Sequence, residues 1–407
     1  MKASATARRL AAALGMAAAA ATRAADPWPA LRIDAAQTTL SGLSSGGYMA
    51  VQLHVAYSGT FARGVGVVAG GPFHCAEGQL RHATGRCLDD GIGAPVETLQ
   101  ATARRYEQQG TIDPLGHLAR SRVYVFTGAN DLVVRQPLGR DLARWYAAFV
   151  PAAQIRTRFD VPAEHGMVTD DHGNACAVRG GAFIQNCGVD LAGEMLAWLL
   201  APGGAVAALS PRAEGALQGR WLAPDQREFI GAGRGMGPQA RLYVPRACDV
   251  PAAGGGAGGG AGGAGPPCRL HVVLHGCGQS LDDIGETYVR HTGYPRWAET
   301  NRIVLLFPQT GREALNSCWD WWGYTGPDYA QRSGAQMAAI KGMADRLAGA
   351  AVQGCVRALN ATHVLAGRAA GWLGRVVARG SGVDLGWPWQ RSALAAPTAG
   401  HFVRGAC

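Results

Sequence analysis

The sequence has 407 residues, of which 48% are hydrophobic and 16% are charged, and its net charge is +9. This composition excludes an intrinsically disordered chain, because there is ample apolar material for a buried core. The arginines are scattered rather than clustered, so we expect a globular protein with a solvated basic surface and no nucleic-acid partner.

The N-terminus has the pattern of a secretory signal peptide. Lys2, Arg8 and Arg9 precede an apolar run, Leu10–Ala21, and small residues follow up to Ala25. That order of basic, apolar and small residues predicts a signal peptide over the first 25 residues, cleaved near Ala25. No later segment approaches the roughly 18 apolar residues of a membrane span, so we expect a secreted protein, extracellular or periplasmic.

The first chemical motif follows a short β-compatible segment, Leu31–Leu40. The residues Gly42-Leu43-Ser44-Ser45-Gly46 come next, and Tyr48–Ala56 is typical of a helix. A G-x-S-x-G pattern between a strand and a helix is the nucleophile elbow of serine hydrolases. The pattern therefore predicts Ser44 as a nucleophile.

An acid and a base for this serine follow in the expected chain order. Further elements are predicted as strands at Val65–Ala69, Arg122–Thr127 and Gln154–Val161 and as helices at Leu138–Phe149 and Leu191–Leu200. Asp131 lies just after the second of these strands, and His165 just after the third. Ser, then Asp, then His is the order found in α/β-hydrolases.

The second half of the chain repeats the alternation of strands and helices. Residues 201–237 have weak periodicity, and we interpret them as a connection between halves at 26–200 and 238–372. We predict neighbouring strands at Arg241–Val244 and Leu270–Leu274, a strand at Ile303–Phe307 and a helix at Ala335–Ala348. This alternation predicts a mainly parallel sheet with helices on both faces. Residues 253–267, almost wholly Gly and Ala, are predicted to form a loop.

An oxyanion-hole loop is predicted at His275-Gly276-Cys277-Gly278-Gln279, directly after a strand. In an ordinary α/β-hydrolase this loop precedes the nucleophile, whereas here it follows, which indicates a circularly permuted chain. Residues 362–372 also echo residues 38–47, with Ala369 where the first copy has Ser44. This echo is either a relic of duplication and permutation or a chance similarity in an Ala/Gly-rich chain.

Ten cysteines in an exported chain predict disulfides, since that compartment is oxidising. Spacing predicts three local bridges, and two remain by elimination; the five pairs are Cys75–Cys87, Cys176–Cys187, Cys248–Cys268, Cys277–Cys318 and Cys355–Cys407. The Cys-x-x-Cys spacing of zinc sites is missing, so we expect no metal.

Five segments together resemble the polyhydroxybutyrate (PHB) depolymerases, in particular their circularly permuted type. They are Ser41–Tyr48, Gly128–Asp131, Asn186-Cys187-Gly188, Leu274–Gln279 and Cys318–Tyr324. The resemblance implies a secreted serine esterase with an α/β-hydrolase domain over residues 26–407, acting on a polyester or oligoester without a cofactor.

The same resemblance implies a site. Ser44 would be the nucleophile, Asp131 and His165 would complete the triad, and the amides of Ser45 and Cys277 would form the oxyanion hole. The nearby Asp170, Asp171 and His172 leave the assignment of acid and base open by a few positions.

Four aromatic residues after Cys318 are candidates for substrate binding. Trp319, Trp321, Trp322 and Tyr324 either line an apolar cleft or belong to the core. An alternating sequence cannot bury every ring on one face, so we expect at least one of them to line the cleft.

Other functions remain open from the sequence. An esterase acting on feruloyl or acetyl groups of plant polysaccharide would keep the same triad. An acyltransferase would need a cleft that excludes water, and a non-catalytic polymer-binding protein would have a vestigial triad. Residues 373–407 match no known pattern, and no substrate-binding module is visible, which favours amorphous polymer or soluble oligomers. We expect a monomer.

Overall fold

The computed structural model describes residues 25–88, 93–201, 209–249, 265–349, 356–371, 374–398 and 401–404. The strands are β1 (Thr39–Leu43), β2 (Gly64–Val68), β3 (Arg122–Phe126), β4 (Ile155–Arg158), β5 (Met167–Thr169), β6 (Asn174–Ala175), β7 (Ile184–Asn186), β8 (Arg220–Leu222), β9 (Arg241–Val244), β10 (Arg269–Leu274), β11 (Ile303–Phe307), β12 (Val356–Leu359), β13 (Ala369–Ala370), β14 (Val376–Ala378), β15 (Asp384–Gly386), β16 (Arg391–Thr398) and β17 (His401–Arg404). The helices are α1 (Ser45–Ala56), α2 (Leu80–Thr84), α3 (Val96–Gln108), α4 (Gln136–Tyr146), α5 (Leu191–Leu199), α6 (Leu281–Ile284), α7 (Thr287–His291), α8 (Tyr294–Asn301), α9 (Ala335–Leu347) and α10 (Asn360–Leu365).

An eight-stranded sheet with the order β4-β3-β2-β1-β10-β11-β9-β8 organises most of the molecule. Its strands are parallel from β4 to β11, while β9 is antiparallel to both of its neighbours. Every residue of β1, β2, β3 and β11 is buried, as expected for parallel strands that are covered on both faces and therefore have continuous apolar sequences. This is an α/β-hydrolase fold, as predicted.

The order of strands explains how a permuted chain builds this sheet. In register, Leu40 of β1 lies between Val65 of β2 and Val272 of β10. The first half of the chain therefore supplies one side of the sheet and residues 220–307 supply the other. The strand end that carries Ser44 meets the strand end that carries His275, although the two lie far apart in the sequence.

Three details of the predicted strands are wrong. The first strand begins at Thr39 rather than Leu31, because Ala35–Gln37 form a 3-10 turn capped by the side chain of Asp34. Strands β9 and β10 are not neighbours, since β11 lies between them. The connection 201–237 contains edge strand β8, which is only three residues long and too short to show a periodic pattern.

The four disulfides Cys75–Cys87, Cys176–Cys187, Cys248–Cys268 and Cys277–Cys318 form as predicted. Cys248–Cys268 joins the two ends of the Gly/Ala-rich segment, most of which lies outside the described residues. The predicted pair Cys355–Cys407 and the predicted signal peptide up to residue 24 also lie outside them. Among the described helices, none has the length and apolar character that crossing a membrane requires.

The described residues between 356 and 404 form two small antiparallel sheets, β12-β16-β17 and β13-β14-β15, with a small apolar core of their own. The part of the echoing segment that would correspond to the strand before the elbow begins in helix α10, which ends at Leu365, and Ala369 itself begins β13. The resemblance between Ala369 and Ser44 is therefore one of sequence only, because an elbow needs a strand before its turn.

Candidate active site

Ser44 lies at a sharp turn between β1 and α1. Its backbone has φ 55° and ψ −121°, a conformation that non-glycine residues rarely adopt. Neighbouring glycines permit the turn: a Cβ on Gly42 would lie 2.1 Å from the carbonyl oxygen of Gly46, and one on Gly46 would lie 2.3 Å from that of His275. The small residues of the motif thus allow the turn to pack directly against the end of β10.

Asp131 and His165 are joined in the interior, next to this turn. Oδ2 of Asp131 lies 2.9 Å from Nδ1 of His165, and the two side chains are 2% and 6% exposed. Oδ1 of Asp131 accepts hydrogen bonds from the amides of Val133 and Val134, both over 2.8 Å. The carboxylate is thus held by its own loop, and Nε2 is the histidine nitrogen left for a reacting proton.

Ser44 and His165 both line a cleft of about 440 Å³. Ser45, Gly276 and Cys277 line the same cleft. The structure therefore gathers the predicted nucleophile, base and oxyanion loops around one cavity.

Two backbone amides in the cleft are placed to receive a negative charge. Ser45 is the first residue of α1, where amides lack partners within the helix. Within the described part of the chain, neither its amide nor that of Cys277 donates to another acceptor. Paired free amides beside a serine are the arrangement that stabilises a tetrahedral oxyanion.

The oxyanion loop is fixed by its own motif residues. Oε1 of Gln279 accepts from the amide of Gly276 over 2.6 Å, and its Nε2 donates to the carbonyl oxygen of Ala182 over 2.7 Å. A Cβ on Gly276 would lie 2.8 Å from that same Oε1. The Gly276 amide is thereby satisfied, while the next amide along the loop remains free.

His275 supports the loop as a neutral side chain. Its Nε2 accepts from the Thr310 amide over 3.3 Å, so Nδ1 carries the proton and donates to the carbonyl oxygen of Gly276 over 2.7 Å. Burial lowers the pKa of His275 to about 4, although the hydrogen bond to Gly276 opposes this effect. His275 is therefore a positioning residue and not a second base.

The disulfide Cys277–Cys318 attaches this loop to the aromatic segment. Nε1 of Trp319 donates to the carbonyl oxygen of His275 over 3.0 Å, which adds a second connection. Trp319 is fully buried and does not line the cleft. Its place is behind the oxyanion loop.

Trp321 and Trp322 do line the cleft, whereas Tyr324 does not. Trp321 stacks on Tyr48 with ring centroids 4.1 Å apart, and its ring lies edge-on to Trp322. The hydroxyl of Tyr324 donates instead to the carbonyl oxygen of Cys318 over 2.8 Å. The predicted aromatic cluster thus divides into two cleft rings and two supporting rings.

Asp320 lies between the buried Trp319 and the two cleft rings. This buried carboxylate accepts from the amides of Gly323, Tyr324 and Thr325 over 2.7 to 3.0 Å. Burial raises the pKa of Asp320, while these hydrogen bonds lower it. The carboxylate closes a tight turn directly after the tryptophans.

The alternative acids and base near His165 lie away from the cleft. Asp170 pairs with Arg212, and Asp171 pairs with Arg296. His172 stacks on the ring of His291. None of these lines the cleft among the residues described.

Sequence reasoning missed several apolar residues of the cleft and one charged one. They are Leu80, Leu88, Val133, Phe183, Leu315 and Arg179. They lie in loops and in a short helix, where no periodicity marks an inward face. Proximity to the cysteines at 87, 176 and 187 was the one available signal.

A larger cavity of about 870 Å³ lies elsewhere, beside Trp221. Three of its charged residues pair with one another, since Glu286 pairs with Arg241 and Arg290. Its described lining contains neither a serine nor a histidine, so it offers no nucleophile with a base.

Comparison with known proteins gives relatives of one kind, although no family model matches the chain. The chain is 51% identical over 320 residues to a poly(3-hydroxybutyrate) depolymerase of Delftia acidovorans, covering 78% of this chain and 61% of that relative. It therefore spans about three fifths of that protein's length. It is 34% identical over 340 residues to a polyhydroxybutyrate depolymerase of Talaromyces funiculosus, covering 80% of this chain and 93% of the relative.

Two solved structures are similar in fold. One is a PHB depolymerase with a serine-to-alanine substitution, complexed with an R3HB trimer; the TM-score is 0.69 at 32% identity. The other is the PHB depolymerase from Penicillium funiculosum, with a TM-score of 0.68 at 32% identity. Each match covers 80% of this chain and 99% of the other.

Proposed function

Because the chain belongs to the polyhydroxybutyrate depolymerase family, we propose that it is a secreted serine esterase that hydrolyses poly(3-hydroxybutyrate) or its oligomers. The single observation that carries this proposal is the buried Asp131–His165 hydrogen bond at a cleft that Ser44 also lines.

The reaction proceeds in two halves. Nε2 of His165 takes the proton of the Ser44 hydroxyl as the serine oxygen attacks an ester carbonyl. The amides of Ser45 and Cys277 hold the oxyanion that forms. The ester bond then breaks, and His165 returns its proton to the departing alkoxide, which leaves as an alcohol.

Water completes the cycle. His165 takes a proton from water as it attacks the acyl group on Ser44, and a second oxyanion forms in the same position. Its collapse releases the hydroxyacyl group as a carboxylic acid, and the proton returns to the serine oxygen. No cofactor is needed for either half.

The composition of the cleft supports a polyester substrate. Trp321, Trp322, Phe183 and Leu315 give it an apolar surface, which suits a backbone of repeating methyl and ester groups. A solved relative is complexed with an R3HB trimer, which is an oligomer of this class.

We expect export through the N-terminal signal, to the periplasm or the cell exterior, and the four disulfides support an oxidising compartment. We also expect a monomer whose residues 26–407 form one catalytic unit.

Hydrolysis by the purified mature protein tests the proposal. Amorphous poly(3-hydroxybutyrate), its soluble oligomers and a feruloyl ester would be compared for wild type and Ser44→Ala. Release of 3-hydroxybutyrate by wild type alone is expected. Cleavage of the feruloyl ester alone would move the substrate class to plant polysaccharide esters, and binding without any cleavage would indicate a polymer-binding protein.

A further inference from the structure

The cleft contains one permanently charged side chain among its described lining residues, Arg179. It lies on the loop between β6 and β7, and its side chain is 50% exposed. The residues around the cavity are otherwise apolar or neutral, apart from His165. An arginine in such a cleft is a candidate for binding an anionic part of a ligand.

The loop that carries Arg179 is attached to the catalytic machinery. The disulfide Cys176–Cys187 closes it. Nε2 of the fully buried Gln185 donates to the carbonyl oxygen of His165 over 2.9 Å and lies 3.4 Å from that of Val178. Gln279 of the oxyanion loop donates to the same segment, at Ala182. The backbone that carries Arg179 is thus held in place relative to both His165 and the loop of Cys277.

A buried carboxylate, that of Glu164, lies beside the arginine. Its Oε2 lies 3.4 Å from Nε of Arg179, and its Oε1 accepts from the amide of Leu132 over 2.7 Å. The carboxylate is 7% exposed. Within the described residues the polar contact of Arg179 is this one with Glu164, through Nε. The nearest approach to Glu164 is at Nε and is an ion pair without a hydrogen bond, so the terminal nitrogens remain available to a ligand.

We propose that Arg179 binds the free carboxylate at the end of a hydroxyacid oligomer. This inference rests on the proposed function. Each polyester chain has one carboxylate end, while its internal esters offer only neutral acceptors, and the guanidinium group has the geometry to bind a carboxylate through paired hydrogen bonds. The enzyme accordingly favours the acid form of a short oligomer over an ester-capped form and cleaves near that end.

The test compares two trimers of 3-hydroxybutyrate that differ at one end, the free acid and its methyl ester. Cleavage of internal ester bonds is followed by chromatography. For wild type, kcat/KM is expected to be higher for the acid. In Arg179→Gln the ratio of acid to methyl ester is expected to fall about tenfold, mainly through KM, since hydrogen bonds to charged groups contribute on that scale.

Two further variants make the result specific. Arg179→Lys keeps the charge without the paired geometry and is expected to retain part of the preference. Arg246→Gln removes one positive charge at an exposed position that does not line the cleft, and is expected to keep the wild-type ratio. Cleavage of p-nitrophenyl butyrate by each variant reports whether the triad remains intact.

An unchanged ratio in Arg179→Gln, with both trimers cleaved by wild type, would overturn this inference and leave the proposed function intact. If wild type cleaved neither trimer but cleaved a feruloyl ester, the proposed function would fail, and this inference with it. A purely structural role of Arg179 toward Glu164 would lower the cleavage of both trimers equally, which also contradicts a carboxylate site.

Discussion

Asp131 accepts a hydrogen bond from Nδ1 of His165 over 2.9 Å, and both side chains are almost completely buried. Because the carboxylate also accepts the amides of Val133 and Val134, it cannot turn away from the histidine without breaking three contacts. The ring is therefore fixed in the tautomer that leaves Nε2 free to accept a proton.

Asp131→Asn is predicted to lower kcat by about 10⁴-fold, because the amide favours the wrong tautomer of His165. Asparagine keeps an oxygen for the loop amides, so the melting temperature should change little. The measurement is hydrolysis of p-nitrophenyl butyrate. Asp170→Asn is the matched control, since Asp170 pairs with Arg212 away from the cleft. An equal loss of kcat in Asp170→Asn would contradict the assignment of Asp131 as the acid of the triad.

Removal of the disulfide at the oxyanion loop is predicted to lower kcat about tenfold. The double variant Cys277→Ser with Cys318→Ser keeps the amide of residue 277 but frees its loop, and each oxyanion donor contributes roughly 2.7 to 4 kcal/mol when held in place. The double variant Cys248→Ser with Cys268→Ser removes a bridge away from the cleft. It should lower the melting temperature and leave kcat unchanged; equal kcat values in both variants would contradict the prediction.

Of the tryptophans after Cys318, Trp319 is predicted to contribute to stability and Trp322 to substrate binding. Trp319→Ala removes a fully buried ring, so the free energy of unfolding should fall by about 3 to 5 kcal/mol. Trp322→Ala opens the cleft wall and should raise KM for soluble oligomers more than for p-nitrophenyl acetate. Chemical denaturation and oligomer kinetics measure the two effects, and identical profiles for both variants would show that the rings share one role.

Stability is predicted to fall in mild acid because of buried neutral histidines. Burial lowers the pKa of His54 and of His271 to about 3, whereas the unfolded chain binds those protons near pH 6.5. The stabilisation is complete above about pH 6.5 and decreases toward pH 3, by up to about 1.4 kcal/mol per pH unit for each histidine.

The variant His54→Gln tests whether a buried neutral histidine causes the loss of stability in mild acid. The side chain of His54 contacts the Tyr146 hydroxyl in the interior, and glutamine can replace that contact without titrating. Denaturation at pH 7 and pH 5 should show a smaller loss of stability in the variant than in wild type. Equal losses would mean that His54 does not contribute to the pH dependence.

The sequence indicated the fold and several of the residues that meet at the cleft, because their signals are local. Apolar runs mark the buried strands, and the motifs around Ser44 and His275 encode tight turns that only small residues permit. Cysteine spacing predicted three of the four bridges observed, and the fourth, Cys277–Cys318, followed by elimination.

Strand neighbours and the cleft walls were harder to predict, because they depend on contacts between distant segments. The pairing of β9 with β11 reverses direction, and no local pattern encodes that choice. Arg179 and Phe183 lie in a loop whose position depends on Gln279, about a hundred residues away. The division of the aromatic cluster likewise depends on distant contacts, such as those of Trp319 with His275 and of Trp321 with Tyr48.

Covalent labelling of the mature protein with a fluorophosphonate, followed by mass spectrometry of its peptides, tests the proposed nucleophile most directly. We predict a single label on Ser44, present in wild type and missing in His165→Ala at short reaction times, because the free serine is a weak nucleophile without its base. A label on Ser45 or another serine, or no label on an active preparation, would contradict the mechanism.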